Sequence, residues 1–99
     1  MIDVKEKYLN ELKEILNKYV PGIEARAFGS RVKGNIKKYS DLDLALVNNN
    51  KKIDRKVLNR LEEDLAESNI PFRIEIIDWN RISDGFKKII EGKFEILKF

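Results

Sequence analysis

Apolar side chains at Tyr8, Leu9, Leu12, Ile15, Leu16 and Tyr19 recur at the spacing that lines one face of an α-helix, which predicts an amphipathic helix over residues 3–19. Pro21-Gly22 stops it. Residues 23–28 alternate weakly and read as a strand, after which Gly29 and Ser30 open a short helix or turn through Lys37, with Ser30 as its N-cap. The period then switches to two. Leu42, Leu44 and Leu46 point one way along a strand, and Asp41, Asp43, Ala45 and Val47 point the other. Asn48 to Asn50 form a loop. Ile53, Val57, Leu58, Leu61 and Leu65 mark a second long helix ending near Asn69, before Pro71. The β-branched run from Phe72 to Asp78 reads as a buried strand. Ser83 caps a last helix carrying Phe86, Ile89 and Ile90, followed by Gly92 and a terminal strand over residues 94–99. The order α-β-α-β-α-β-α implies an α/β (α+β) domain, one sheet covered by helices.

With 99 residues and no repeat, low-complexity stretch or linker, the chain is expected to form a single domain over residues 1–99. Composition narrows the chemistry more than the fold. The chain has neither cysteine nor histidine. Thiolate nucleophiles, disulfides and the commonest nitrogen ligand and general base are thereby excluded. Acid–base or metal chemistry has to run on carboxylates, which suit hard cations such as magnesium or manganese. The net charge of +3 allows an anionic partner, but the interspersed signs fit a lysine-rich solvated surface better. Exposed aromatics among basic strand residues, as RNA stacking wants, are not seen, so direct nucleic-acid binding is not expected. The N-terminus lacks an apolar signal region and no run is long enough to cross a bilayer. A cytoplasmic protein with no membrane partner is the expectation.

Gly29-Ser30, ten further residues, then Asp41-x-Asp43 is the arrangement that carries chemistry. At average residue frequencies a chance match in a chain this short is on the order of one in a thousand. Alone, each half has an ordinary reading. Asp-x-Asp can be a turn acid and a surface ion pair, and Gly-Ser can be a simple strand-to-helix turn. Together they join a phosphate cradle to a pair of acids. Gly29 lets backbone approach a phosphate, Ser30 offers a hydroxyl and N–H at a helix start, and Arg31 and Lys33 add positive charge. Asp41 and Asp43 project from one strand face and repel unless a cation bridges them. Two-metal phosphoryl transfer asks for a third acid. Glu75, between Ile74 and Ile76 and on the face of Arg73 and Ile77, is the candidate. Asp78 falls on the opposite face and reads as a strand end or turn cap. An ion pair of Glu75 with Arg73 or a surface lysine is its plainer alternative. Trp79 reads as packing, although an aromatic near a cleft could touch a base, and Tyr8, Tyr19 and Phe86 occupy core-facing positions.

At FGSRVKGNIKKYSDLDLALV and PFRIEIIDW the chain resembles the minimal nucleotidyltransferases, the small MNT or MntA-like antitoxins of the DNA polymerase β superfamily. The resemblance spans nearly the whole chain and departs at Glu75, where the family often has aspartate. It implies a polymerase β-like fold with a small mixed sheet. It further implies transfer of NMP, with AMP from ATP favoured, to a hydroxyl with release of pyrophosphate. Asp41, Asp43 and Glu75 would be catalytic and hold magnesium, as two ions, or manganese. Gly29, Ser30, Arg31 and Lys33 would bind the triphosphate. The implied partner is a HEPN-type helical protein modified on a tyrosine in a toxin–antitoxin pair. A non-catalytic regulatory subunit that binds nucleotide or partner is the alternative.

Overall fold

A computed structural model describes residues 2–29, 31 and 41–99. Helix α1 (Glu6–Tyr19) leads to strand β1 (Glu24–Phe28), and β2 (Leu42–Val47) to α2 (Arg55–Glu67). Strand β3 (Ile74–Asp78), a 3-10 turn (Trp79–Arg81), α3 (Asp84–Gly92) and β4 (Glu95–Leu97) complete the chain. The sheet runs β3-β2-β1-β4. β1 is antiparallel to both β2 and β4, while β2 and β3 are parallel, so the sheet is mixed. The short helix expected through Lys37 falls outside the described residues, apart from Arg31.

The core is built by the alternation read from the sequence. Leu42, Leu44 and Leu46 are fully buried in one cluster with Leu12 and Leu16 of α1 and Leu58, Leu61 and Leu65 of α2. Ala25, Ala27 and Leu97 extend that cluster across β1 and β4. Burying a leucine of this kind contributes about 2 kcal/mol, so the two helices are held to one face of the sheet. Between them, the Tyr19 hydroxyl donates to Asp64 at 2.6 Å.

Several boundaries move, each for a local reason. Helix α1 begins at Glu6 because Asp3 is engaged elsewhere: its N–H donates to the Arg31 carbonyl at 3.0 Å. Helix α2 begins at Arg55, capped by the Asp54 side chain on the Lys56 N–H, because Ile53 is held by Asp78. It ends at Glu67, where the Ser68 hydroxyl donates to the Leu65 carbonyl. Strand β3 is neither as long nor as buried as expected. It lies at the sheet edge, and Phe72 leaves the strand to meet Tyr8 edge-to-face at 6.4 Å. Ser83 caps α3 as expected, donor and acceptor being the Phe86 N–H and the serine hydroxyl oxygen. Of its apolar residues, Ile90 is buried while Ile89 is 68% exposed. Strand β4 forms within the expected terminal strand but covers only three residues.

Among the described residues Asp78 is the buried acid. Its carboxylate accepts from the Ile53 N–H at 2.8 Å, the Asn80 N–H at 3.1 Å and Arg81 Nε at 3.0 Å. Arg81 in turn donates to the Ile53 carbonyl, and the Asn80 amide donates to the carbonyls of Asn49 and Lys51. This knot fastens the loop after β2 to the end of β3. Removing Asp78 strands the buried Ile53 N–H and leaves the partly exposed Arg81 without its carboxylate. Asp78→Ala is therefore expected to cost about 3–5 kcal/mol, read as a lower urea midpoint, whereas a cost below about 1 kcal/mol would show that the knot is dispensable.

Candidate active site

Opposite the leucine-lined face, β1 and β2 present Arg26, Phe28, Asp43 and Ala45, and β3 presents Glu75 and Ile77. This face is divided. At one part α3 lies across it, with Phe86 meeting Phe28 edge-to-face at 5.9 Å. Beside that contact Arg26 lies over the rings of Trp79 and Phe94, at 4.7 and 4.9 Å. Trp79 thus packs, as expected, and Lys87 of α3 also lies over it. The remaining part carries the acids.

Asp43 and Glu75 are register partners on the parallel strands β2 and β3. Their parity puts both carboxylates on the same face, close enough to hydrogen-bond through a shared proton. Partial burial, the charge and hydrogen bond of Glu75, and the charge of Asp41 raise the Asp43 pKa from 3.8 to about 6, against a small opposing pull from Arg73. Glu75 itself is exposed on the edge strand, so it is not the buried mid-strand acid that its apolar neighbours suggested. Asp41 stands just before β2 and acts on Asp43 through space.

Gly29 follows β1 directly, beside Asp43, because Phe28 is the register partner of Asp43. It takes φ +85°, and a Cβ there would collide with Asp43 Oδ2. Glycine is thus required both by the left-handed turn and by the carboxylate against it.

Arg31 is buried at 5% exposure. Its guanidinium lies 3.8 Å from the Phe72 ring centre and donates to the Asp3 carbonyl at 2.7 Å. Burial weakens its hold on its proton, while the charges of Asp3 and Asp41 strengthen it. The expected phosphate ligand is therefore seated beneath the turn, clamping the N-terminal segment, the Gly29 turn and the loop before β3 together. Phe72 and Asp3 gave no signal in the sequence, because both meet Arg31 only through long-range packing. Ser30 and Lys33 lie outside the described residues.

These carboxylates are hard oxygen donors with a proton to give up, which suits magnesium or manganese. The expected set of Asp41, Asp43 and Glu75 is not a ready-made cage: among the described residues no group of three acids is close enough to hold an ion. The close pair is Asp43 and Glu75. Magnesium is commonly held by one or two carboxylates, with water and substrate phosphates filling the remaining positions, so the pair fits it without a third side chain.

A raised carboxyl pKa means that the folded chain binds the Asp43 proton more tightly than the unfolded chain does. Its stabilising contribution is complete below pH 3.8 and is lost as pH rises through about 6. After discounting for solvent screening, the loss is of the order of 1 kcal/mol, roughly 4–8 °C in Tm for a domain of this size. The melting temperature of the wild type relative to Asp43→Asn is expected to fall by that amount between pH 4 and 7. Parallel melting curves across this range would contradict the crowding of Asp43 by Glu75.

The chain matches the family model of polymerase beta nucleotidyltransferases over residues 10–98. It is 40% identical over 97 residues to a probable protein adenylyltransferase MntA of Haemophilus influenzae, covering 98% of this chain and 84% of that protein. The crystal structure of a toxin–antitoxin with AMP-PNP superposes with TM-score 0.75 at 20% identity, over 91% of this chain and 72% of the other. A mutant MntA–HpeT toxin–antitoxin superposes with TM-score 0.74 at 18% identity, again over 91% and 72%. At such identities the two structures establish the fold, a polymerase β-like one. With a family match across most of its length and a relative at 40% identity, the chain belongs to the polymerase β nucleotidyltransferase family and is a nucleotidyltransferase.

Proposed function

We propose that this chain transfers AMP from ATP to a tyrosine hydroxyl of a HEPN-type partner protein, as the antitoxin of a toxin–antitoxin pair. The observation that carries the chemistry is the Asp43–Glu75 pair on adjacent strands, with Asp41 close by and Gly29 turned tightly against Asp43. Transfer of AMP to a protein is supported by the protein adenylyltransferase relative and by the toxin–antitoxin structures, one of them with AMP-PNP. The tyrosine acceptor and the HEPN character of the partner rest on the family resemblance.

In this reading the acceptor oxygen bonds to the α-phosphorus, the bond from that phosphorus to the bridging oxygen breaks, and pyrophosphate leaves. A divalent ion, when bound, neutralises phosphate charge and lowers the pKa of the hydroxyl. Asp43 and Glu75 would hold it, with Asp41 supplying further negative charge nearby. Glu75, on the exposed edge, faces the acceptor and receives the hydroxyl proton. The triphosphate lies toward the Gly29 turn, where Ser30 and Lys33 are its expected ligands. Arg31 shapes that turn from below, through Asp3 and Phe72.

The alternative, a regulatory subunit without catalysis, draws on the glutamate at position 75 and its exposure. Intact mass spectrometry of the adjacent reading frame's product, incubated with this chain, magnesium and each NTP in turn, separates the two. AMP addition (about 329 Da) from ATP is expected, with a loss of about 10²-fold or more in rate for Asp43→Asn. An unmodified partner that is still neutralised by the Asp41→Asn/Asp43→Asn variant would favour the regulatory reading.

A further inference from the structure

A groove of about 710 Å³ runs between α2 and the outer edge of β3, lined by Glu62, Leu65, Ala66, Phe72, Ile74 and Ile76 among others, and it reaches Glu75. Its size suits a peptide segment or small ligand. One wall is strand backbone. The Leu42 N–H donates to the Arg73 carbonyl at 2.9 Å, which fixes the phase of the parallel ladder. Arg73, Glu75 and Ile77 therefore turn their N–H and C=O groups toward β2, while Ile74 and Ile76 turn theirs outward into the groove. Among the described residues no strand pairs with that edge. The floor is apolar: Leu65 is buried, and Phe72, Ile74 and Ile76 pack against the core.

We propose that the acceptor protein docks here as an extended segment, adding a strand outside β3 and presenting its hydroxyl to the acid pair. This rests on the transfer reading above and adds how the acceptor is held. Three features favour an extended peptide over another occupant. The outward N–H and C=O groups of Ile74 and Ile76 are spaced for a strand, and pairing with them supplies affinity without side-chain specificity. Side chains on the inner face of the added strand meet the apolar floor, and alternate ones emerge on the face of Asp43 and Glu75. Glu62 and Glu75 line the groove together with one base, Arg73, so its lining is net acidic and favours a segment with a basic flanking residue.

Amide hydrogen exchange by NMR tests the docking apart from the chemistry. It uses the Asp41→Asn/Asp43→Asn variant mixed with the adjacent reading frame's product and no nucleotide. Slowed exchange of the Ile74 and Ile76 amides, about tenfold or more, only when that protein is present, is the expected result. Binding without their protection overturns the proposal. So does protection that appears in this chain alone as its concentration rises, since a second copy would then own the edge. A second measurement uses wild-type acidic residues and the exposed groove residue Ala66 replaced by tryptophan. With folding verified by thermal melting, Ala66→Trp is expected to raise the KM for the acceptor protein about tenfold. A rise in the KM for ATP instead would assign the groove to the nucleotide, and no change in either would leave it without a role, both overturning the proposal. If the amides are protected but no nucleotide is ever transferred, the docking stands and the transfer reading fails.

Discussion

Two carboxylates in register on neighbouring parallel strands repel each other, and much of this molecule is arranged so that they stay together. Leu42 and Leu44 are driven into the core under α1 and α2, and strand parity then leaves Asp43 no other face to occupy. Glu75 is fixed opposite it by the ladder between β2 and β3. The burial of the leucines, worth about 2 kcal/mol each, exceeds the cost of crowding two partly solvated acids. The hydrophobic core therefore holds a charge pair that would not assemble by itself. That tension is what a proton relieves at low pH and what a cation can relieve at neutral pH.

The surroundings of the pair support the proposed site. Gly29 brings the backbone of the first turn against Asp43, so the start of the Gly-Ser loop and the acids share one surface. The Asp3–Arg31–Phe72 clamp stiffens that turn from beneath. On the other side, the Asp78–Arg81 knot fastens the end of β3 to the loop after β2, holding the two strands of the acid pair at both ends. Helix α3 covers the rest of the face through Phe86 and leaves the acids open.

The sequence disclosed what depends on period and spacing. The alternation from Asp41 to Val47 put Asp43 opposite the leucines, parity in β3 joined Glu75 to that face and excluded Asp78, and Ser83 was recognisable as a cap. What depends on long-range packing was not legible. Nothing local shows that Phe72 lies under Arg31 or that Asp3 pairs with Arg31 backbone, so the packing of Arg31 beneath the turn was hidden. The edge position of β3 was hidden for a related reason. Its β-branched residues are those of a buried strand, but Ile74 and Ile76 are only half-buried against the core, and on the opposite side Glu75 is exposed and Ile77 half-buried.

Whether the pair is a cation site is decided most directly by manganese binding, followed by electron paramagnetic resonance in the presence of a non-hydrolysable ATP analogue. Wild type, Asp43→Asn and Glu75→Gln should be compared at pH 7.5, with folding checked for each. Both substitutions are expected to weaken manganese binding by about tenfold or more. Binding by Glu75→Gln indistinguishable from wild type would rule out a shared cation site, because the ion would then be held without the partner that the sheet places beside Asp43.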